Sequence, residues 1–409
     1  MTTANPESAS SKRVSWIGSL REALDRPLSA YYLLLGGSAL LLTIGVIMVL
    51  SASSVQSFQK YGNSYAVVER QILWVVIGLP AAWVASRLPQ RVLRRLAWPA
   101  YVLALVLLLA TALFGRAVNG NQNWLGVGPL QIQPSEIAKL ALILWAANVY
   151  ALKERRLHST HEVLMPVVPG MLFATLMVVI GHDLGTAMVF FAIMLGLLWV
   201  VGAPLRVFGA MFGFVALLAG YFVVTDPERL TRITSFTDPF HTYSDSGWQA
   251  AHGLYALTSG GLFGQGIGAS QQKWGSLPEA HTDFIFAVLG EELGLIGTLL
   301  VVVLFLTLAY AAIRVARETA DPFVRYVTFG VVVWLIGQMM INIGMVLALF
   351  PVVGVPLPLV SYGGSSLLPT LVALGLVIGF ARREPEAARA LAQRKKSRSA
   401  GLAAGPGAR

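Results

Sequence analysis

The chain has 409 residues, of which 56% are hydrophobic and only 12% charged, against about 25% charged in an ordinary soluble domain. With a mean hydropathy of +0.68, this excludes a disordered chain, a soluble globular enzyme and a fibrous repeat, and points to a polytopic membrane protein. Cysteine is absent, which removes disulfides, thiolate nucleophiles and zinc–thiolate sites, and the net charge of +10 bears first on topology.

In chain order, residues 1–29 are polar, Ser-rich and lightly basic (Lys12, Arg13, Arg21, Arg26), without the apolar region and cleavage site of a secretory signal. Ten apolar spans follow, near 30–51, 67–86, 97–114, 135–152, 163–180, 184–201, 206–224, 284–313, 325–349 and 365–381, each long enough to cross ~30 Å of hydrocarbon. At Gly181-His182-Asp183 the alternative to two separate spans is one long broken helix. With both termini placed in the cytoplasm, 23 of the 30 Lys and Arg fall in cytoplasmic segments, as the positive-inside rule requires. The fold class expected is therefore an all-α polytopic membrane protein with about ten transmembrane helices and one long extracytoplasmic loop, 225–283, between spans seven and eight. The aromatic residues and Gly-rich turns of that loop suit folding against the bundle, and its length suits function. Domain organisation reads as a cytoplasmic tail (1–29), a single membrane domain (30–383) and a basic disordered tail (384–409). In that tail Arg394, Lys395, Lys396 and Arg398 are either a solvated topogenic cluster or a contact for anionic lipid.

Ionisable groups at membrane depth are expensive and mark function by default. In Gln131-Ile132-Gln133-Pro134-Ser135-Glu136-Ile137-Ala138-Lys139, Ser135 is the expected N-cap, and Glu136 and Lys139 share a helical face. They read either as a self-neutralising pair or as a cation held under an outward-facing cavity for a phosphate. Asp183 is expected to cap the helix that begins at Leu184. The densest constellation runs from Lys273 through Glu279, His281, Thr282 and Asp283 to Glu291 and Glu292. Asp283 stands at the outer interface directly before an apolar run, where desolvation raises a carboxylate's pKa and suits a general base; an N-cap is the competing reading. Glu291 and Glu292 could equally bond neighbouring helices. Gly266 and Gly268 are either a turn or a backbone nest for an anion. Pro356-Leu357-Pro358 through Ser361-Tyr362-Gly363-Gly364-Ser365-Ser366 cannot continue a helix, and reads as a tight turn or as a re-entrant loop offering hydroxyls.

These residues carry a family likeness. The chain resembles the SEDS (shape, elongation, division and sporulation) family, whose FtsW and RodA branches polymerise peptidoglycan glycan strands. The matching residues are Val49-Leu50-Ser51-Ala52-Ser53-Ser54, Gln133-Pro134-Ser135-Glu136 with Lys139, Asp183-Leu184-Gly185-Thr186, Arg232-Ile233 leading to Asp238-Pro239, Leu277 through Phe286, and Pro356-Leu357-Pro358 through Ser366. Leu144-Trp145 and the 277–294 block look more like the division-specific FtsW branch than RodA. The resemblance implies a ten-span fold and the joining of lipid II units. In that reaction the 4-hydroxyl of one disaccharide attacks the anomeric carbon of another and undecaprenyl pyrophosphate leaves. It places the family's essential aspartate on Asp283, and its span-four Glu and Lys on Glu136 and Lys139. It implies a class B penicillin-binding transpeptidase as partner, other divisome membrane proteins around it, and the bacterial inner membrane at the division septum as its place; nucleic acid is not expected. Three departures stand out: Asn123 where the family often has Arg before Trp124, Gly247-Trp248-Gln249 followed by His252-Gly253, and His182 where Pro usually precedes Asp-Leu-Gly. The first falls where the resemblance leads one to expect an Arg contact to a phosphate.

Glycosyl transfer needs a base, stabilisation of an oxocarbenium-like centre and neutralisation of the leaving pyrophosphate. Asp283 is the expected base. Lys139 is the candidate cation, with Arg232 and Lys273 behind it, and Glu136, His281, Glu292, Ser361 and Ser365 are the other expected substrate-site residues. A divalent cation could assist the leaving group, but no cluster shows clear metal-ligand spacing, so the metal is unassigned. No second carboxylate is placed as a nucleophile, which predicts single displacement with inversion. A lipid II flippase, a RodA-type elongation polymerase and a scaffold for the transpeptidase are the rival readings; a transporter would place its key groups near the midplane.

Overall fold

A computed structural model of the protein describes residues 26–118, 121–127, 130–225, 239–240, 243 and 247–393. The principal helices are α1 (Ser29–Tyr61), α2 (Ala66–Arg87), α3 (Gln90–Phe114), α4 (Pro134–Lys153), α5 (Thr160–Leu164), α6 (Val167–Ile180), α7 (Leu184–Val201), α8 (Leu205–Thr225), α9 (Trp248–Gly260), α10 (Ile285–Glu318), α11 (Pro322–Val346) and α12 (Gly364–Arg383). Among the described residues nine segments are long and apolar enough to cross a membrane, Thr160–Ile180 being one of them. The tenth expected span is α8, whose apolar stretch Leu205–Leu217 is shorter. The chain is thus the polytopic helical bundle that hydropathy predicts. The break at Gly181-His182-Asp183 is real: His182 turns at φ 62°, and Asp183 caps α7 by accepting from Thr186 N–H at 2.9 Å.

Two features depart from the expectation. A small antiparallel sheet, β1 (Arg116–Val118), β2 (Asn121–Val127) and β3 (Leu130–Ile132), interrupts the helices between α3 and α4. Its register pairs Val118 with Asn121 and Leu125 with Ile132. Asn119-Gly120 between the first two strands is a strong hairpin signal, which hydropathy alone passes over. Residues 385–393 are helical rather than disordered. Pro385 suits a first helical position, Ala-rich sequence follows, and Ala387 is fully buried. The basic cluster from Arg394 onward lies outside the described residues, as does the N-terminal tail as far as residue 25.

α4 is the most enclosed span, 78% buried, and packs against α3, α7 and α11. α12 lies along α2, and α10 along α1, α9 and α11. The α2–α12 contact is a close backbone approach. A Cβ added at Gly375 would meet Ala82 O at 2.3 Å, and one at Gly379 would meet Ser86 O at 2.4 Å. This is the small-xxx-small packing by which membrane helices gain van der Waals contact that lipid cannot otherwise drive.

α10 is not continuous. Gly294 sits within it at φ 68°, ψ −166°, a conformation open to glycine, and breaks it into two helices. The backbone groups released there are taken up by the segment after α9. Gln265 N–H donates to Glu291 O at 2.9 Å and Gly266 N–H to Glu292 O at 3.0 Å, while Leu295 N–H donates to Gly261 O at 2.9 Å and Ile296 N–H to Leu262 O at 3.2 Å. Irregular backbone inside a membrane span is tolerated only where protein satisfies it. The second half of the long loop is therefore built into the bundle, as its aromatic and Gly-rich sequence suggested.

Candidate active site

The side chains singled out from the sequence converge on one end of the bundle, where α1, α3, α6 and α11 finish and α2, α4, α7, α9, α10 and α12 begin. Arg232, with the Asp238 motif, lies outside the described residues.

Pro134 takes a first-turn position of α4, since its fixed φ and missing N–H suit that place. Gln133 becomes the cap residue, and Ser135 does not cap: its hydroxyl is buried without a partner among the described residues. One turn further, Lys139 Nζ lies 2.8 Å from Glu136 Oε1, with 1% and 2% of the side chains exposed. The same ammonium donates to Gln338 Oε1 at 2.9 Å and faces the Trp334 ring at 5.6 Å. Its charge is neutralised inside the protein, as the self-pairing reading had it.

Lys273 and Glu292 form a second buried pair at 3.1 Å. Glu292 Oε1 also accepts from Ser51 Oγ at 2.6 Å, and Lys273 Nζ donates to Ser51 Oγ at 3.1 Å and Gly268 O at 2.6 Å. Glu291 accepts from Ser270 Oγ at 2.6 Å and Gln271 N–H at 2.8 Å. Both glutamates therefore hold the long loop onto α10 and α1. Gly266 and Gly268 are turn residues at φ 105° and 89°, and the Gly266 N–H is already committed to Glu292 O.

Asp183 joins several elements. Besides Thr186, its Oδ2 accepts from Asn123 Nδ2 at 3.1 Å and Gln133 Nε2 at 3.2 Å. Asn123, standing where the likeness led us to expect Arg, thus ties the small sheet to α7.

Asp283 differs from Glu136, Asp183, Glu291 and Glu292, whose carboxylates are all engaged. It does not cap α10, whose first turn receives no side-chain cap. Thr282 Oγ1 turns instead to Glu279 Oε2 at 2.7 Å. The Asp283 peptide is clamped: its carbonyl accepts from Asn342 Nδ2 at 2.8 Å, Ser361 Oγ donates to the preceding Thr282 carbonyl at 2.7 Å, and Tyr362 N–H donates to His281 O at 2.9 Å. The carboxylate has no hydrogen-bond or ion-pair partner among the described residues, and Oδ2 would lie 3.4 Å from a Cβ at Gly354. Burial, with the charges of Glu279 and Asp183 behind it, pushes its pKa up to about 7. His281 next to it is held below the usual imidazole range, first by burial, with Lys60 adding to the effect and Glu279 opposing it. His281 stacks obliquely on Tyr362, ring centroids 5.5 Å apart.

Ser361 is buried and spends its hydroxyl on the clamp, accepting also from Leu357 N–H at 2.7 Å. Ser365 is buried in the first turn of α12. Four residues escaped the sequence reading. Arg70, exposed at the start of α2, hydrogen-bonds Tyr362 and lies 5.1 Å from the Tyr61 ring. Gln71, Gln338 and Asn342 are buried amides; a search for uncharged amides inside spans would have found them. Among the described residues no group of three or more His, Asp or Glu is clustered so as to hold a metal ion, and no step below is routed through one.

The nine long apolar segments and the cluster of buried polar groups at one end of them, with the unpaired Asp283 carboxylate on a clamped loop among them, define a polytopic integral membrane protein with a built polar site at the end of its spans. The family model described as a cell cycle protein, of the FtsW, RodA and SpoVE type, matches residues 32–385. The chain belongs to this family. It is 40% identical over 370 residues to the probable peptidoglycan glycosyltransferase FtsW of Mycobacterium tuberculosis, covering 90% of this chain and 71% of that protein. It is 39% identical over 349 residues to stage V sporulation protein E of Bacillus subtilis, covering 84% and 94%. Among solved structures, a chain of a peptidoglycan synthase complex described as coordinating polymerization and crosslinking superposes with a TM-score of 0.71 at 28% identity, covering 86% of this chain and 97% of that one. The rod shape determining protein RodA of Thermus thermophilus superposes with a TM-score of 0.63 at 29% identity, covering 87% and 97%.

Proposed function

We propose that this protein polymerises lipid II into glycan strands for septal wall synthesis, with Asp283 as general base. It is a peptidoglycan glycosyltransferase of the FtsW, RodA and SpoVE family. The observation that carries the mechanistic reading is the Asp283 carboxylate: free of partners among the described residues, and shifted to about 7, near the pH at which it would work. The Asp283 carboxylate takes the proton of the acceptor 4-hydroxyl. The acceptor oxygen bonds to the donor's anomeric carbon as the bond from that carbon to the pyrophosphate oxygen breaks, with inversion, and undecaprenyl pyrophosphate leaves. Lys139 and Lys273 are neutralised by their glutamates, and we assign them to holding the site's frame. The exposed cations Lys60 and Arg70, beside His281 and Tyr362, supply positive charge for the leaving group, with Arg232 as a further candidate.

The Lys and Arg asymmetry across the spans supports an orientation with this end of the bundle outside the cytoplasm, opposite both termini. A class B penicillin-binding transpeptidase, other divisome membrane proteins and membrane lipids are the proposed partners, and the inner membrane at the septum the proposed place. The broken helix at Gly294 is a feature that transporters share, but here the protein's own loop occupies the freed backbone groups, which favours catalysis over transport.

The test is glycan synthesis from purified lipid II by wild type and Asp283→Asn, with the cognate transpeptidase present and its serine inactivated. Asp283→Asn is expected to lose about 10²- to 10⁴-fold in rate while remaining folded. Polymer at the wild-type rate from that variant would remove Asp283 from the mechanism.

A further inference from the structure

α11 carries two amides, Gln338 and Asn342, one helical turn apart, 2% and 0% exposed. Polar groups this deep in a spanning helix are expensive unless fully used, and are functional by default. Their N–H groups go to the backbone on two sides of the free carboxylate. Gln338 Nε2 donates to Pro356 O at 2.8 Å, while Asn342 Nδ2 donates to Val355 O at 2.7 Å and to Asp283 O at 2.8 Å. The orientation of the Asn342 amide is settled by chemistry, since turning it over would set its oxygen against two carbonyl oxygens. Its Oδ1 has no partner among the described residues, so Asn342 serves this place as a donor alone. The gripped segment is the one lying against the base: Gly354 turns at φ 67°, and a Cβ there would be 3.4 Å from Asp283 Oδ2. Gln338 in turn is anchored from behind by Lys139 Nζ at 2.9 Å and Trp334 Nε1 at 2.8 Å.

We infer that Asn342 is a positioning residue for Asp283, tying the peptide of the base and the backbone facing its carboxylate to one rigid helix, with Gln338 and the Glu136–Lys139 pair as the second half of the same latch. The inference rests on the reading of Asp283 as base. The hydrogen bonds of the Asn342 side chain among the described residues go to backbone on both sides of the base, so it acts through placement. A displacement of about 1 Å at a reacting group is enough to cost about 10²-fold in rate.

The experiment measures kcat and KM for lipid II from pH 5.5 to 9 in wild type, Asn342→Leu, Asn342→Asp, Asp283→Asn and Asn148→Leu. Asn342→Leu keeps the branching at Cγ and removes both N–H donors, at the cost of a somewhat larger side chain. It is expected to lower kcat about 10- to 100-fold with KM little changed, and to move the rising limb of the pH profile. Asn342→Asp keeps the shape, loses the donors when ionised, and adds a charge beside Asp283 to those of Glu279 and Asp183. Its rising limb is expected to shift to higher pH, and this variant decides the matter if the leucine variant does not fold. Asn148→Leu, a buried amide on α4 that accepts from Arg94 at the opposite end of the bundle, is expected to lose stability without a change in kcat or pH profile. An Asn342 variant with wild-type kcat and pH profile, or with a loss in KM alone, overturns the inference. Full activity of Asp283→Asn overturns the reading of the base, and is scored separately.

Discussion

Asp283 is kept where ionisation is unfavourable, and this has consequences for rate and for stability. A base must be deprotonated to act, so activity is expected to rise with pH through about 7 and to fall away below it, as titration of kcat/KM against pH would record. The stability effect has the opposite sense. The folded pKa lies above the ordinary carboxylate value of 3.8, so the fold bears no penalty below about pH 4, a growing one between 4 and 7, and the full one above 7. Asp283→Asn should therefore melt higher than wild type at pH 8 and at the same temperature at pH 4. The stabilisation at pH 8 is a few kcal/mol at most, because the group is partly exposed. Equal melting at both pH values would contradict the desolvated, unpaired placement of the carboxylate. The sequence made Asp283 and the Glu136–Lys139 pair legible because charge inside an apolar run is rare. It hid Asn342 and Gln338 because an amide carries no charge to mark it, and the partners of both are backbone atoms supplied by a distant loop.

At the scale of elements, the Lys273–Glu292 pair decides how the long loop is held. Both groups are enclosed, and the Glu292 carboxylate also accepts from Ser51. Glu292→Gln leaves the Lys273 ammonium buried without its counter-charge, and is expected to cost about 3–5 kcal/mol in thermal unfolding in detergent. Lys273→Met combined with Glu292→Leu removes both charges and should recover most of that loss; failure to recover would mean that the pair itself, and not the stranded charge, matters. The α2–α12 contact makes a different demand. Gly379→Ala brings a methyl to 2.4 Å from Ser86 O, so the helices must part, at about 1–3 kcal/mol, readable in the same unfolding assay. Gly36 has nothing within 4 Å of an added Cβ, and Gly36→Ala serves as the neutral comparison. Hydropathy found these spans but not their joins. The break at Gly294 was not legible because Gly290, Gly294 and Gly297 recur in this stretch and nothing local marks which of them bends, and what makes the break tolerable is the pairing of residues 261–266, which come from elsewhere in the chain.

For the whole molecule, the order of the spans and nine of the ten expected among the described residues followed from composition, because a bilayer forces apolar length on each crossing. The small sheet between α3 and α4 and the helix over 385–393 did not follow, since both lie outside any span, where hydropathy is silent and local turn and helix chemistry decides. Orientation is the remaining global property, and it rests on the distribution of Lys and Arg. The absence of cysteine gives a clean test, because every introduced thiol is unique. Gln59→Cys and Gln271→Cys occupy exposed positions at the Asp283 end, and His158→Cys and Ala320→Cys exposed positions at the other. In intact spheroplasts a membrane-impermeant maleimide is expected to label the first two and to reach the second two only after permeabilisation. The reverse pattern would put Asp283 in the cytoplasm. The carboxylate would then face the wrong compartment for strand synthesis, and a cytoplasmic step on the lipid-linked precursor would have to replace polymerisation as the reading of the site.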